Sequence, residues 1–120
     1  MSEVMHVGTD KGLLDSLRQE LRRGTLVLSV LSQTQDPKYG YALVQSLLEK
    51  ATPVDPNTLY PLLRRLESQG LLKSEWETDG PKPRKYYRRT EFGTQIYKAL
   101  RSEWKHMSEA MDILIKGESS

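Results

Sequence analysis

Leucines recur at helical spacing early in the chain, at Leu13, Leu14, Leu17 and Leu21, with Arg18, Glu20, Arg22 and Arg23 between them. Thr9 or Asp10 suits the cap of that helix. Gly24 interrupts, and residues 25–31 are nearly all apolar, which predicts a segment buried on several sides. A glycine inside a helix costs only about 1 kcal/mol relative to alanine, so the pattern leaves open whether residues 10–33 form one helix or two. Residues 36–40 (Asp-Pro-Lys-Tyr-Gly) read as a turn. Tyr41 to Lys50 reads as a short amphipathic helix with Tyr41, Val44, Leu47 and Leu48 inward. After a turn at Thr52, Pro53 and Val54, Asp55 followed by Pro56 predicts a cap and a first helical residue. Asn57 and Thr58 offer a later start, which Pro61 favours, because a proline well inside a helix lacks a donor and clashes with the preceding turn. This helix runs to about Gln69, ends at Gly70, and turns Leu59, Leu62, Leu63 and Leu66 inward.

Beyond Gly70 the period changes from helical to alternating. Leu72, Ser74 and Trp76 would share one side of a strand, and Lys73, Glu75 and Glu77 the other. A turn at residues 78–81 leads to a second strand from Arg84 to Arg89, and Thr90 caps a last helix. Phe92, Ile96, Leu100, Trp104, Met107, Met111 and Leu114 or Ile115 repeat along it every three to four residues, a stripe of roughly 35 Å. The predicted fold is mainly α with a small β-hairpin, a winged helix-turn-helix with a long C-terminal dimerisation helix. Its parts are a flexible arm over residues 1–9, a winged helix-turn-helix domain over 10–90 including the leading helix, a dimerisation helix over 91–116, and a tail over 117–120. Three helices and a hairpin already close the domain, so a second copy is the natural cover for the rest of the stripe, and the leading helix is a candidate to clasp it.

A chain of 120 residues with 37% hydrophobic residues builds one thin core, which also favours extra burial by oligomerisation. The absence of cysteine excludes disulfides and thiolate chemistry. His6 and His106 lie at opposite ends and suggest no metal site. There is no phosphate-binding glycine loop, nucleophile elbow or recognisable carboxylate pair, so neither an enzyme nor a cofactor is expected. The longest apolar run, Leu26 to Leu31, is too short for a bilayer, and the first residues lack a signal-peptide pattern. The expectation is a soluble, cytoplasmic protein with no membrane partner.

The net charge of +2 says little about partners; its distribution says more. Lys82, Arg84, Lys85, Arg88 and Arg89 lie between Gly80 and Thr90 with no acid among them. Such a run is often only a solvated edge, but directly after a helix-turn-helix it becomes a candidate for phosphate contact. Of Tyr86 and Tyr87, one must point inward; Tyr87 is assigned to the core and Tyr86 to the DNA side. On the second helix of the pair, Asn57, Thr58, Tyr60 and Arg64 are the candidates nearest the bases. Arg65, Lys82, Arg84, Lys85 and Arg88 are the candidates for phosphates.

Four blocks carry a family resemblance: Gly40 to Leu43; Thr58 to Glu67 (TLYPLLRRLE); Gly70 to Leu72; and Arg84 to Thr90 (RKYYRRT) followed by Gly93. Together they resemble the PadR family of bacterial transcription regulators, from about Arg23 to the end of the last helix, and the single long C-terminal helix is similar to its short subfamily. The resemblance implies a homodimer that binds a roughly palindromic operator, usually as a repressor, and is released by a ligand or by stress. The family often has a leucine where this chain has Arg89, and residues 1–22 are longer than many members need. Dimerisation is assigned to Phe92, Ile96, Leu100, Trp104, Met107 and Met111. Trp104 is either a dimer-core aromatic or, with Met107, a plate for a planar aromatic small-molecule effector, as in some members. The alternative to a DNA-binding regulator is a winged-helix protein–protein interaction module that never touches DNA.

Overall fold

The computed structural model describes residues 11–117. The arm assigned to residues 1–9, the cap at Thr9 or Asp10, and residues 118–120 of the tail lie outside the described residues. In chain order the elements are α1 (Lys11–Arg23), α2 (Leu26–Ser32), β1 (Lys38–Tyr39), α3 (Gly40–Glu49), α4 (Pro56–Ser68), β2 (Leu72–Glu77), β3 (Arg84–Arg89) and α5 (Glu91–Lys116). The strands form one antiparallel sheet in the order β1-β3-β2. The fold is a winged helix with a long C-terminal helix, mostly helical, as the periodicities predict.

The question left open over residues 10–33 resolves as two helices. The chain closes a turn at Thr25, whose backbone N–H and hydroxyl both donate to the Arg22 carbonyl at 3.0 Å, and re-enters helix at Leu26. α1 contributes no buried residue. Of its leucine stripe, Leu13, Leu17 and Leu21 are exposed, Leu21 to 79%, and Leu14 is half-buried. The leading helix thus lies outside the core of the domain to which it was assigned.

The core joins Val30 and Leu31 of α2, Leu43 and Leu47 of α3, the predicted stripe Leu59, Leu62, Leu63 and Leu66 of α4, and Leu71, Leu72 and Tyr87 around the sheet. Two expectations for the helix pair need correction. α3 begins at Gly40, and its inward row is Gly40, Leu43 and Leu47, while Tyr41 and Leu48 are exposed. The shift follows from Gly40, where the ring of Tyr60 occupies the space a side chain would need: a Cβ there would lie 2.5 Å from Tyr60 Cε1. α4 takes the earlier of its two candidate starts. The Asp55 carboxylate accepts the Asn57 N–H at 2.8 Å and Pro56 fills the first helical position, so Pro61 lies inside the helix. Pro61 is tolerated because both it and Asn57, whose carbonyl loses its intrahelical donor, are solvent-exposed and water can bond the freed oxygen.

Gly70, at φ +80°, supplies the left-handed residue that ends α4 and brings the Leu71 N–H to the Leu66 carbonyl at 2.9 Å. β1, expected only as a turn, pairs Lys38 with Tyr87 and Tyr39 with Tyr86; two residues are too few to leave an alternating pattern. In β2, Leu72 is buried but Trp76, on the same side, is 62% exposed, since it lies beyond the last core side chain. Thr90 caps α5 by accepting the Gly93 N–H at 2.8 Å. At that point α5 crosses close to the sheet. A Cβ on Gly93 would overlap the carbonyl oxygen of Leu71 and reach 3.0 Å from Arg89 Cγ. Beyond its first turns α5 runs out of the core, and the molecule extends over 61 × 32 × 22 Å.

Candidate nucleic-acid interface

The four core leucines pin one side of α4, so its opposite side faces outward. Asn57, Pro61, Arg64 and Ser68 lie along one exposed row, with Thr58 and Arg65 on the next. Neither Arg64 nor Arg65 makes an ion pair among the described residues. Tyr60 stands apart from these. Its half-buried ring packs on Gly40 and the core, so it locks the two helices together as well as bordering the exposed face.

The wing rearranges the basic run more than the sequence suggests. The register sets Lys73 opposite Arg88, Glu75 opposite Tyr86 and Glu77 opposite Arg84 on one face, and Ser74 opposite Tyr87 and Trp76 opposite Lys85 on the other. The run has no acid within itself, but its pairing strand and α4 supply three. Arg84 is 3.3 Å from the Glu77 carboxylate and stacks 4.3 Å from the ring centre of Tyr39. Lys85 lies 3.7 Å from Glu67 of α4, with the rings of Tyr87 and Trp76 at 5.5 and 5.9 Å. Lys82 and Arg88 are exposed and make no ion pair among the described residues. Cations of this surface with no ion pair among the described residues therefore include Arg64, Arg65, Lys73, Lys82 and Arg88.

Tyr86 lies on the outer face and Tyr87 is buried, as assigned from the alternation. The Tyr86 hydroxyl donates to Glu75 at 3.3 Å, and that of Tyr39 to Glu77 at 2.8 Å, with the two rings edge to face. The hydrogen bond to Glu77 raises the pKa of Tyr39 above the ordinary phenol value, and the charge of Glu75 does the same for Tyr86. Both phenols stay neutral and act as donors. Glu67 also accepts the Ser74 hydroxyl, so one carboxylate ties α4 to both strands of the wing. The sequence reading missed Glu67, Glu75 and Glu77 as partners; the hairpin register, once fixed by the turn, is the signal that pairs the last two.

The apolar stripe of α5 divides in two. Ile96 and Leu100, with Tyr97, are half-buried against the core of their own domain. They lie over α2, which α5 crosses. Phe92 is exposed beside Gly70. Trp104, at 45% exposure, begins the uncovered part, which continues through Met107, Met111, Leu114 and Ile115. A shallow cleft beside Trp104 is lined by Arg22, Thr25, Leu28, Ser29, Ala51 and Thr52. Met107, assigned with Trp104 to a ligand, does not line it.

Residues 27–99 match the profile of the transcriptional regulator PadR-like family. A transcriptional regulator of Mycobacterium tuberculosis is 33% identical over 102 residues, covering 84% of this chain and 92% of that protein. The crystal structure of a PadR family transcriptional regulator from Eggerthella lenta is 50% identical, covers 88% of this chain and 94% of its own, and superposes with a TM-score of 0.82. Among the described residues, no helix is long and apolar enough to cross a membrane. On the match over its winged helix and the likeness to these relatives, the chain belongs to the PadR-like family of transcriptional regulators.

Proposed function

We propose that the protein is a sequence-specific DNA-binding repressor that acts in the cytoplasm as a homodimer and is released by a small molecule. The observation that carries this reading is the exposed row of Asn57, Arg64 and Ser68 on α4, flanked by Thr58 and Arg65 and standing beside a wing with free cations at Lys82 and Arg88. Asn57, Thr58 and Arg64 reach base edges in the major groove, with the Tyr60 hydroxyl at the border. Arg65, Lys82 and Arg88 take phosphates, and Arg84, Lys85 and Tyr86 contribute after exchanging or sharing their acidic partners. In the dimer, two such heads read half-sites about 34–36 Å apart in a roughly palindromic operator.

The test is selection from random or genomic DNA fragments, followed by binding isotherms across salt concentrations. An enriched inverted repeat with steep salt dependence is the expected result; binding without enrichment would overturn sequence-specific reading. Arg88→Ala is expected to reduce the salt slope by about one contact. Lys85→Ala is expected to change it by less, because Glu67 already neutralises part of that charge. Equal effects of the two would show that the Glu67 pair opens on the DNA.

A planar aromatic effector has its surface at Trp104, whose ring is uncovered beside the cleft under Arg22 and Thr52. In a Trp76→Phe background, a planar dye is expected to quench Trp104 fluorescence saturably and to weaken operator binding. Quenching without any change in DNA affinity would separate the ligand from regulation.

A further inference from the structure

We infer that Arg89 is a positioning residue: it anchors the wing to α2 and α5 and so sets where the wing stands relative to the reading helix. The inference rests on the DNA-binding reading above. Although Arg89 closes the basic run, its guanidinium turns toward α2 and α5. One terminal nitrogen donates to the Leu31 carbonyl at 2.7 Å, and Nε donates to the Thr94 hydroxyl at 2.9 Å. The guanidinium plane lies 4.4 Å from the ring centre of Tyr97, which Arg101 also approaches at 5.3 Å. The Arg89 backbone N–H adds a bond to the Thr34 carbonyl at 2.7 Å.

Each contact has a physical reason. α2 has no basic residue in its last turn, so the negative end of its dipole lacks a cation, and Arg89 supplies one from a distant segment. The bond to a helix-terminal carbonyl is charge-assisted, and a planar fork can hold two acceptors while stacking on a ring. Lysine offers the charge without the fork or the stack. Arg89 is also the last residue of β3, next to the cap of α5. One side chain therefore joins the end of the wing strand, the end of α2 and the second turn of α5. A shift of α5 near Tyr97 is transmitted to the strand that carries Arg84, Tyr86 and Arg88.

The experiment measures the full-length protein in two ways: amide hydrogen exchange across residues 84–89 without DNA, and operator affinity against salt. Arg89→Leu and Arg89→Lys are both expected to speed exchange in β3 and to weaken operator binding about tenfold or more, as loss of a charge-assisted bond implies. Tyr97→Leu combined with Arg89→Leu is expected to add little to either single change, because both act through one contact. Full rescue by lysine, with the leucine variant losing one contact of salt slope and leaving exchange unchanged, would make Arg89 a phosphate ligand and overturn the inference. Unchanged exchange and affinity in both variants would overturn it as well. Should the wild-type protein bind no DNA, the exchange arm alone decides whether Arg89 anchors the wing, and the failure falls on the DNA-binding reading instead.

Discussion

Gly93→Ala is expected to lower the unfolding midpoint by about 10 °C or more, the consequence of roughly 2–3 kcal/mol of overpacking in a domain of this size. The added methyl would overlap the Leu71 carbonyl and press on the Arg89 stem. Neither neighbour can move cheaply. The Leu71 carbonyl accepts the Thr90 N–H at 3.1 Å and the Thr90 hydroxyl at 3.3 Å, so displacing it disturbs the cap of α5. The Arg89 stem is held by the bonds of its own guanidinium. Relief must come from moving α5 off the sheet, which uncovers Ile96 and Leu100. Thermal unfolding followed by circular dichroism checks this. Gly12→Ala is the control, since nothing lies within 4 Å of its added methyl. A midpoint shift under 2 °C for Gly93→Ala would mean that α5 sits farther from Leu71 than described.

The second large effect concerns self-association. Met107→Glu combined with Met111→Glu places two carboxylates in the uncovered stripe of α5, where Trp104, Leu114 and Ile115 are also bare. In a single copy these positions face water and the substitutions cost little. In a dimer that covers the stripe, each carboxylate loses its hydration without a partner, a cost of several kcal/mol. The dissociation constant of the dimer is expected to rise at least about 100-fold, equivalent to roughly 2.7 kcal/mol. Sedimentation velocity reads this directly, and the melting curve of the isolated domain should move little. Operator affinity should fall with it, since two heads on one dimer act at high effective concentration and separate heads do not. A double variant that still sediments as a dimer would place the contact elsewhere, with the bare leucines of α1 as the next surface to alter.

Much of the fold was legible because local patterns and global packing agree. The four leucines of α4 follow one helical face, Gly70 ends that helix in a left-handed conformation that glycine reaches at little cost, and Thr90 caps α5. The errors arise where something outside the local pattern decides the outcome. Tyr60 fills the place over Gly40 and so turns Leu43 inward in place of Tyr41. Solvent access to Asn57 makes Pro61 tolerable within α4, and no rule applied to Pro61 alone can see that. The exposed row of α4 was legible for the same reason as its buried row. The electrostatics of the wing were less so: counting cations along residues 82–89 overlooks the acids set against them by Glu75, Glu77 and Glu67. Arg89 looked like one more surface cation because the carbonyl it caps is 58 positions away.

The contact between Gly40 and Tyr60 also limits how such a sequence can vary. A methyl at position 40 and the ring at position 60 claim the same space, so either site can grow only if the other first gives way. Yet Tyr60 also borders the face that reads DNA in the proposed function. A lineage that drifts toward a new target by altering position 60 therefore also loosens the joint between its two helices, and one that stiffens that joint through position 40 gives up the aromatic ring. Specificity and rigidity at this corner change together, by paired substitutions, and routes through single substitutions are narrow.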